Sequence, residues 1–184
     1  FFNVRFPQLN DRDKIAEALA EVKEEKSKQT EFGKLHVYST SYYIGNLLIL
    51  PDLTLHAVLE EGTKPNTSIL LETALADIQN YFDVAPPVYY DETFKEAIYF
   101  STPSFPSLTV TEVAMVLYLL ADLDSQNARL YEQSLHQYAN QVLASGANFY
   151  LDIEYGLYLA SAYFDIIKQS PDYKGLIVSA RQEW

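Results

Sequence analysis

TVTEVAMVLYLLADLDSQNARLYEQSLHQYANQVLASGANFYLDIEYGLYLASAYFDIIKQSP, residues 109–171, is the stretch whose reading decides the fold. Thr109-Val-Thr-Glu112 has the form of a capping box, and Val113, Leu117 and Leu120 follow it at helical spacing. Tyr131, Leu135, Tyr138 and Val142 form the stripe of a second helix, predicted from Asn127 to Ala144. Ile153, Leu157, Ala160, Phe164 and Ile167 form that of a third, from Leu151 to Lys168. Ser145-Gly146 and Ser170-Pro171 close the second and third. The first and third segments are apolar nearly all round, which predicts that both lie at the centre of the domain. Short links between the three predict up-and-down helix packing. Small residues (Ala139, Ala160, Ala162) and the closing proline give residues 127–171 a likeness to a tetratricopeptide unit. No second copy follows at that period, so the likeness is one of generic helix packing.

Working back from this core, Val84 to Pro106 is irregular. Pro86, Pro87, Pro103 and Pro106 surround a short helical candidate, Asp91 to Tyr99. Proline at this density predicts an ordered surface loop of the kind that carries recognition. Asn66-Thr67-Ser68 is expected to cap a helix running to Phe82, with Leu71, Leu75, Ile78 and Phe82 on one face. The same three residues spell a glycosylation sequon, but capping accounts for them more simply. Asp52 to Glu61 reads as a short helix stopped by Gly62. Phe32 to Leu50 is open between a strand pair, on the propensity of Val37, Tyr38, Tyr42, Tyr43 and Ile44, and a buried helix.

Asn10 to Lys28 is the first predicted helix. Asn10 with Asp13 mimics a capping box, and Ile15, Leu19 and Val22 make its stripe. The stripe runs out into Lys23-Glu-Glu-Lys-Ser-Lys28, so this helix is expected to dock by its first half or to serve as a stalk. Phe1, Phe2, Val4 and Phe6 suit an edge strand or apolar arm, with the remnant of a removed signal or anchor as the alternative. Phe1 in place of an initiator methionine points to a processed protein or an excised domain.

The expected architecture is mainly α: a single-domain bundle of five or six helices around Val113–Ala121 and Tyr155–Ile167. A small β-hairpin from Phe32–Leu50 or Tyr89–Ser101 is the leading addition. Residues 1–33 are read as an N-terminal arm with an amphipathic helix, and residues 34–184 as an acidic helical body. At 184 residues a chain buries roughly 70% of the surface its unfolded form exposes. Only six are glycine, about half the usual ~7%, which argues against a many-turned sandwich or barrel.

Charge is unevenly placed. The chain has 13 Lys and Arg against 25 Asp and Glu, for a net charge of −12. Beyond Lys34 the basic residues are Lys64, Lys95, Arg129, Lys168, Lys174 and Arg181 alone, facing most of the acids. Such a body repels nucleic acid and anionic lipid heads and favours a basic partner or a neutral ligand. No window is long and apolar enough to insert into a bilayer. Cysteine is absent, which removes disulfides, thiolate metal sites and thiol catalysis. The compartment stays open, with a slight preference for an extracytoplasmic or secreted location.

Motifs for chemistry are weak. Asp122-Leu-Asp124-Ser-Gln-Asn127 opens like a calcium loop but lacks the turn glycine and the closing acid, so Asp124 is expected to start a turn. Glu132–His136 and His56–Glu60 have helix-face spacing and read as surface pairs, with no metal and no cofactor expected. Asp152 with Glu154, and Asp91 with Glu92, are candidate carboxylate pairs for glycoside chemistry, yet both open helices, where acids offset the macrodipole. Tyrosine is less easily absorbed: there are 15 in the chain, and a rigid ring with a hydroxyl suits half-dry surfaces.

These observations predict a non-catalytic protein–protein interaction module with an acidic, tyrosine-rich surface. It would be an inhibitor or immunity-type protein, or an extracytoplasmic assembly domain. Tyr89, Tyr90, Asp91, Glu92, Tyr99 and Phe105 are the expected partner-binding residues. The alternative is a glycan- or small-ligand-binding or hydrolytic domain whose cleft would use Tyr150, Asp152, Glu154 and Tyr155. That alternative requires the two carboxylate pairs to face one concave site.

Overall fold

The computed structural model describes residues 12–28, 75–94 and 103–183. The readings of 32–50, of 52–61, of the cap at 66–68 and of Tyr99 lie outside the described residues. Those described form a mainly α bundle. Its helices are α1 (Arg12–Lys28), α2 (helical over 75–82), α3 (Leu108–Leu123), α4 (Ala128–Ser145), α5 (Tyr150–Gln169) and α6 (Pro171–Glu183). No strand occurs among the described residues. The part of Tyr89–Ser101 they include is wound into 3-10 turns at Pro87–Tyr89 and Glu92–Phe94 instead of a hairpin. Among them, no helix is long and apolar enough to cross a membrane.

α3 is the axis. It packs against α4 and α5, which touch each other only sparsely, while α1 lies on α4 and α6 closes over α5 and the end of α3. Val113, Leu117 and Leu120 are buried as the spacing predicts, and so are Val110, Ala114, Val116 and Leu119 from its other faces. α5 departs from expectation. Ile153, Ala160, Phe164 and Ile167 are buried, but Tyr158 and Ile166 stand 62% and 64% exposed. It is therefore a flanking helix, not a second central one.

The start of α3 also differs from the expected Thr109–Glu112 box. Ser107 is the N-cap, its Oγ accepting from Val110 N–H at 3.4 Å and donating to Asn148 Oδ1 at 3.0 Å. Ser107 N–H donates to Asp152 O at 2.9 Å, tying the cap to the first turn of α5. Below it, the Thr111 hydroxyl donates to Ser107 O at 2.8 Å, with Gly156 O 3.2 Å away. A Cβ on Gly156 would stand 2.8 Å from Ser107 O. The missing side chain is what lets α3 and α5 approach.

Residues 104–107 run through the interior, unlike the surface loop expected. Ser104, Phe105, Pro106 and Ser107 are buried, and the Phe105–Pro106 peptide is cis. Their polar groups are met by Gln79 Nε2 donating to Pro106 O at 3.1 Å, Asn148 Nδ2 to Ser104 O at 2.8 Å, and Ser104 N–H to Val84 O at 2.7 Å. Such pairing is what buried polar groups require.

α6 is the helix that the sequence reading omitted. Pro171 closes α5 and also opens α6, since at the first turn of a helix proline loses no needed hydrogen bond. Tyr173, Ile177 and Ala180 are its buried stripe. Tyr173 OH donates to Asp122 Oδ2 at 2.7 Å, and Arg181 Nη2 donates to Asp122 O at 2.6 Å, so α6 is latched to the last turn of α3.

Candidate functional site

The site is built on the proline segment. Pro86 and Pro87 are buried, and the 3-10 turn they start closes through Tyr89 N–H to Pro86 O at 3.0 Å and Tyr90 N–H to Pro87 O at 2.9 Å. Proline sets φ here and makes the turn stiff. Its far end is anchored by Phe94, fully buried against Gly146, the left-handed C-cap of α4 (φ 77°). A Cβ at Gly146 would come within 2.5 Å of that ring.

α1 grips the same segment, with its expected stripe and also with two lysines of the run expected to be solvated. Val22 is fully buried, with Ala18 and Leu19 packed beside it. Lys23 Nζ pairs with Asp91 Oδ2 at 2.6 Å. Lys26 lies over the Phe94 ring at 4.9 Å and donates to Thr93 O. The Lys23 ammonium, together with the Thr93 N–H, holds the Asp91 carboxyl well below the usual carboxylate range. Asp91 is thus committed to positioning.

With both ends fixed, the tyrosines turn outward: Tyr89 is 65% and Tyr90 43% exposed. The Tyr90 ring meets Phe149 at 6.1 Å between centroids, tilted by 50°. Phe149 is the buried N-cap residue of α5, and Tyr150 beside it is 49% exposed. The negative charge of Glu154, one turn on, pushes the Tyr150 phenol's pKa up, with hydrogen bonding to that carboxylate, burial and Glu21 of α1 adding to the effect. Three distant stretches therefore meet at one corner, carrying tyrosines and carboxylates.

Residues expected in two separate sites are thus brought together: Tyr89 and Tyr90 from one, Tyr150 and Glu154 from the other. Glu92 is exposed on the adjoining 3-10 turn. Phe105 is elsewhere. It is 2% exposed, its ring 5.4 Å from Phe82 and 5.1 Å from the half-buried Tyr155, and it serves packing.

Asp152 does not share a cleft with Glu154. It is 2% exposed, and its Oδ2 accepts from Phe149 N–H at 2.8 Å, so it caps α5 from within. Burial pushes its carboxyl up to about 6 against the opposing pull of that N–H and the nearby Ser104 and Asn148 groups. At a helix start an acid is ordinarily stabilised as the anion; here desolvation wins. A buried cap beside an exposed glutamate is not the convergent pair that glycoside chemistry needs.

The acids of the would-be calcium loop are structural as well. Asp124 accepts from Asn127 Nδ2 at 2.7 Å and from Tyr131 OH at 3.2 Å, while Asp122 holds α6. Glu132 and His136 lie on the exposed side of α4. Among the described residues no group of three or more His, Cys, Asp or Glu side chains is placed to hold a metal ion.

Two participants escaped the sequence reading. Phe149 lies between two predicted helices, and Glu21 sits beside the predicted stripe of α1 without belonging to it. The only signal for Phe149 was an apolar residue just before a helix start, where it fixes how the chain enters. Matched against protein-family models and against curated proteins, the sequence finds no family and no relative.

Proposed function

We propose that this protein is a non-catalytic interaction module that engages a basic protein partner at the corner formed by Tyr89, Tyr90, Tyr150 and Glu154. The observation that carries this reading is the Tyr90–Phe149 contact, which joins two exposed tyrosine segments into one face. Tyrosine rings supply contact area at little cost in side-chain entropy, and their hydroxyls tolerate water before binding. Glu154 and Glu21 give the face the sign of the whole body, so a cationic partner is drawn in by the net field and released by salt. Arginine suits such a face, since it stacks on aromatic rings and forks onto carboxylates. An inhibitor-type protein covering a basic site and a domain of an extracytoplasmic assembly are two forms this role takes.

Affinity capture at low salt, with elution in rising salt, tests the reading when run beside a Tyr89→Ser/Tyr90→Ser/Tyr150→Ser variant. A protein eluted at moderate salt from the native chain, and absent from the variant lane, supports it. Equal capture by both chains sinks it. The three side chains are exposed, so the variant keeps its core.

A further inference from the structure

The corner uses only the first turn of α5, yet the apolar surface of that helix continues. Tyr150, Glu154, Tyr158, Ala162 and Ile166 follow one another every fourth residue, and all are exposed. Residues at that spacing form a single ridge, roughly 24 Å from first to last at 1.5 Å per residue. The opposite side of the helix buries Ile153, Ala160, Phe164 and Ile167. Apolar residues on both sides of a flanking helix are more than its own packing uses.

The ridge has a sign. Glu154 lies on it, the exposed Asp165 beside it and Glu21 at its start. The one cation of α5, Lys168, sits over the Phe164 ring at 5.3 Å. A second copy of this chain would bring the same carboxylates to the contact and a net charge of −12 with them. Anionic lipid is opposed for the same reason. The complement is a ridge of apolar side chains flanked by cations.

We infer that the outer face of α5 is a docking site for an amphipathic helix of a partner protein, apolar where it meets Tyr158 and Ile166 and lysine- or arginine-bearing along its edges. This deepens the interaction reading and rests on it, naming the partner's secondary structure and charge. Helix-on-ridge recognition of this kind is read as anchors at three- and four-residue spacing.

The test titrates the full chain with synthetic peptides of about 16 residues, the length that matches the ridge. One is a leucine–lysine helix with leucines on one face, one has the same composition in scrambled order, and one has glutamate for lysine. Anisotropy at low ionic strength is expected to show binding of the first and roughly tenfold weaker binding of the second. The glutamate peptide should not bind. Ile166→Asp with Tyr158→Ser should weaken the first peptide roughly tenfold, while Val178→Asp on α6 should leave it unchanged. Glu154→Lys gives a second, charge-reversing route to the same loss. Loss of peptide binding in Tyr89→Ser/Tyr90→Ser with none in the Ile166→Asp/Tyr158→Ser variant would place the contact at the corner alone, overturning the ridge while leaving the interaction reading standing. Hydrogen exchange should show peptide-dependent protection within 150–169. Equal binding of the scrambled peptide would reduce the effect to bulk charge and overturn the inference. So would protection confined to other helices, self-association abolished by the ridge variant, or no binding by the native chain because its own residues occupy the face.

Discussion

α3 and α5 both carry apolar residues around most of their circumference, α3 more than α5, and they end in different places. α3 is enclosed by α4, α5 and α6 and buries residues on every side. α5 is packed on one side and leaves Tyr158 and Ile166 in the open among the described residues. Apolar character states how much surface a helix has to bury. Which neighbours arrive to cover it is a property of the whole chain. Surplus apolar surface on a flanking helix is therefore a place to look for a partner, whereas on α3 it is simply core.

The contrast breaks most visibly within α5 itself. Phe164→Ala removes a ring that stacks on Tyr118 at 5.8 Å and meets Tyr173 edge-on at 6.2 Å. It should cost about 3–5 kcal/mol in denaturant unfolding. The next largest effect concerns the caps. α3 is capped by a neutral hydroxyl and α5 by an ionisable carboxyl. Burial raises the Asp152 pKa from 3.8 to about 6, so between those values the folded state binds more protons than the unfolded state. Stability should consequently fall as pH rises through that window, by about 3 kcal/mol at 1.36 kcal/mol per unit, and level off above it. Asp152→Asn should flatten that slope, and an unchanged slope would assign it to another group.

Gly156→Ala tests the close approach of the two helices, because the added carbon meets backbone at Ser107 O instead of a movable side-chain end. A loss of about 1–3 kcal/mol in thermal or urea melts is expected. Tyr173→Phe deletes the phenol that Asp122 accepts, and should cost about 1 kcal/mol. Ile166→Ala, two residues from Phe164 but on the exposed ridge, should change stability by less than about 0.5 kcal/mol. A larger loss there would mean that α5 is covered on both sides after all.

Much of this was legible in the residues. The stripes through Leu135–Tyr138–Val142 and Ile153–Ala160–Phe164 are buried as their spacing required, because periodicity is set locally by helix geometry. The N-cap of α3 lies two residues before the Thr109–Glu112 stretch that fits the capping pattern. Ser107, by contrast, is selected through bonds to Asn148 and Asp152, far along the chain. α6 was hidden by a proline that both ends one helix and begins another. Of the candidate site, the residue types were legible and their grouping was not. Tyr90 reaches Tyr150 only through Phe149, and Glu21 arrives from α1, contacts that no spacing rule encodes. Asp152 illustrates the opposite case, since its capping role was readable but its burial, and hence its titration, was not.

The fit of Phe94 onto Gly146 has a consequence for how this chain tolerates change. Any side chain at position 146 would meet strained backbone and would displace the ring that anchors the turn carrying Tyr89 and Tyr90. In a saturation mutagenesis experiment scored by partner capture, position 146 should accept glycine alone. It would rank with the contact residues while lying beneath the surface, a hot position that never touches what is bound.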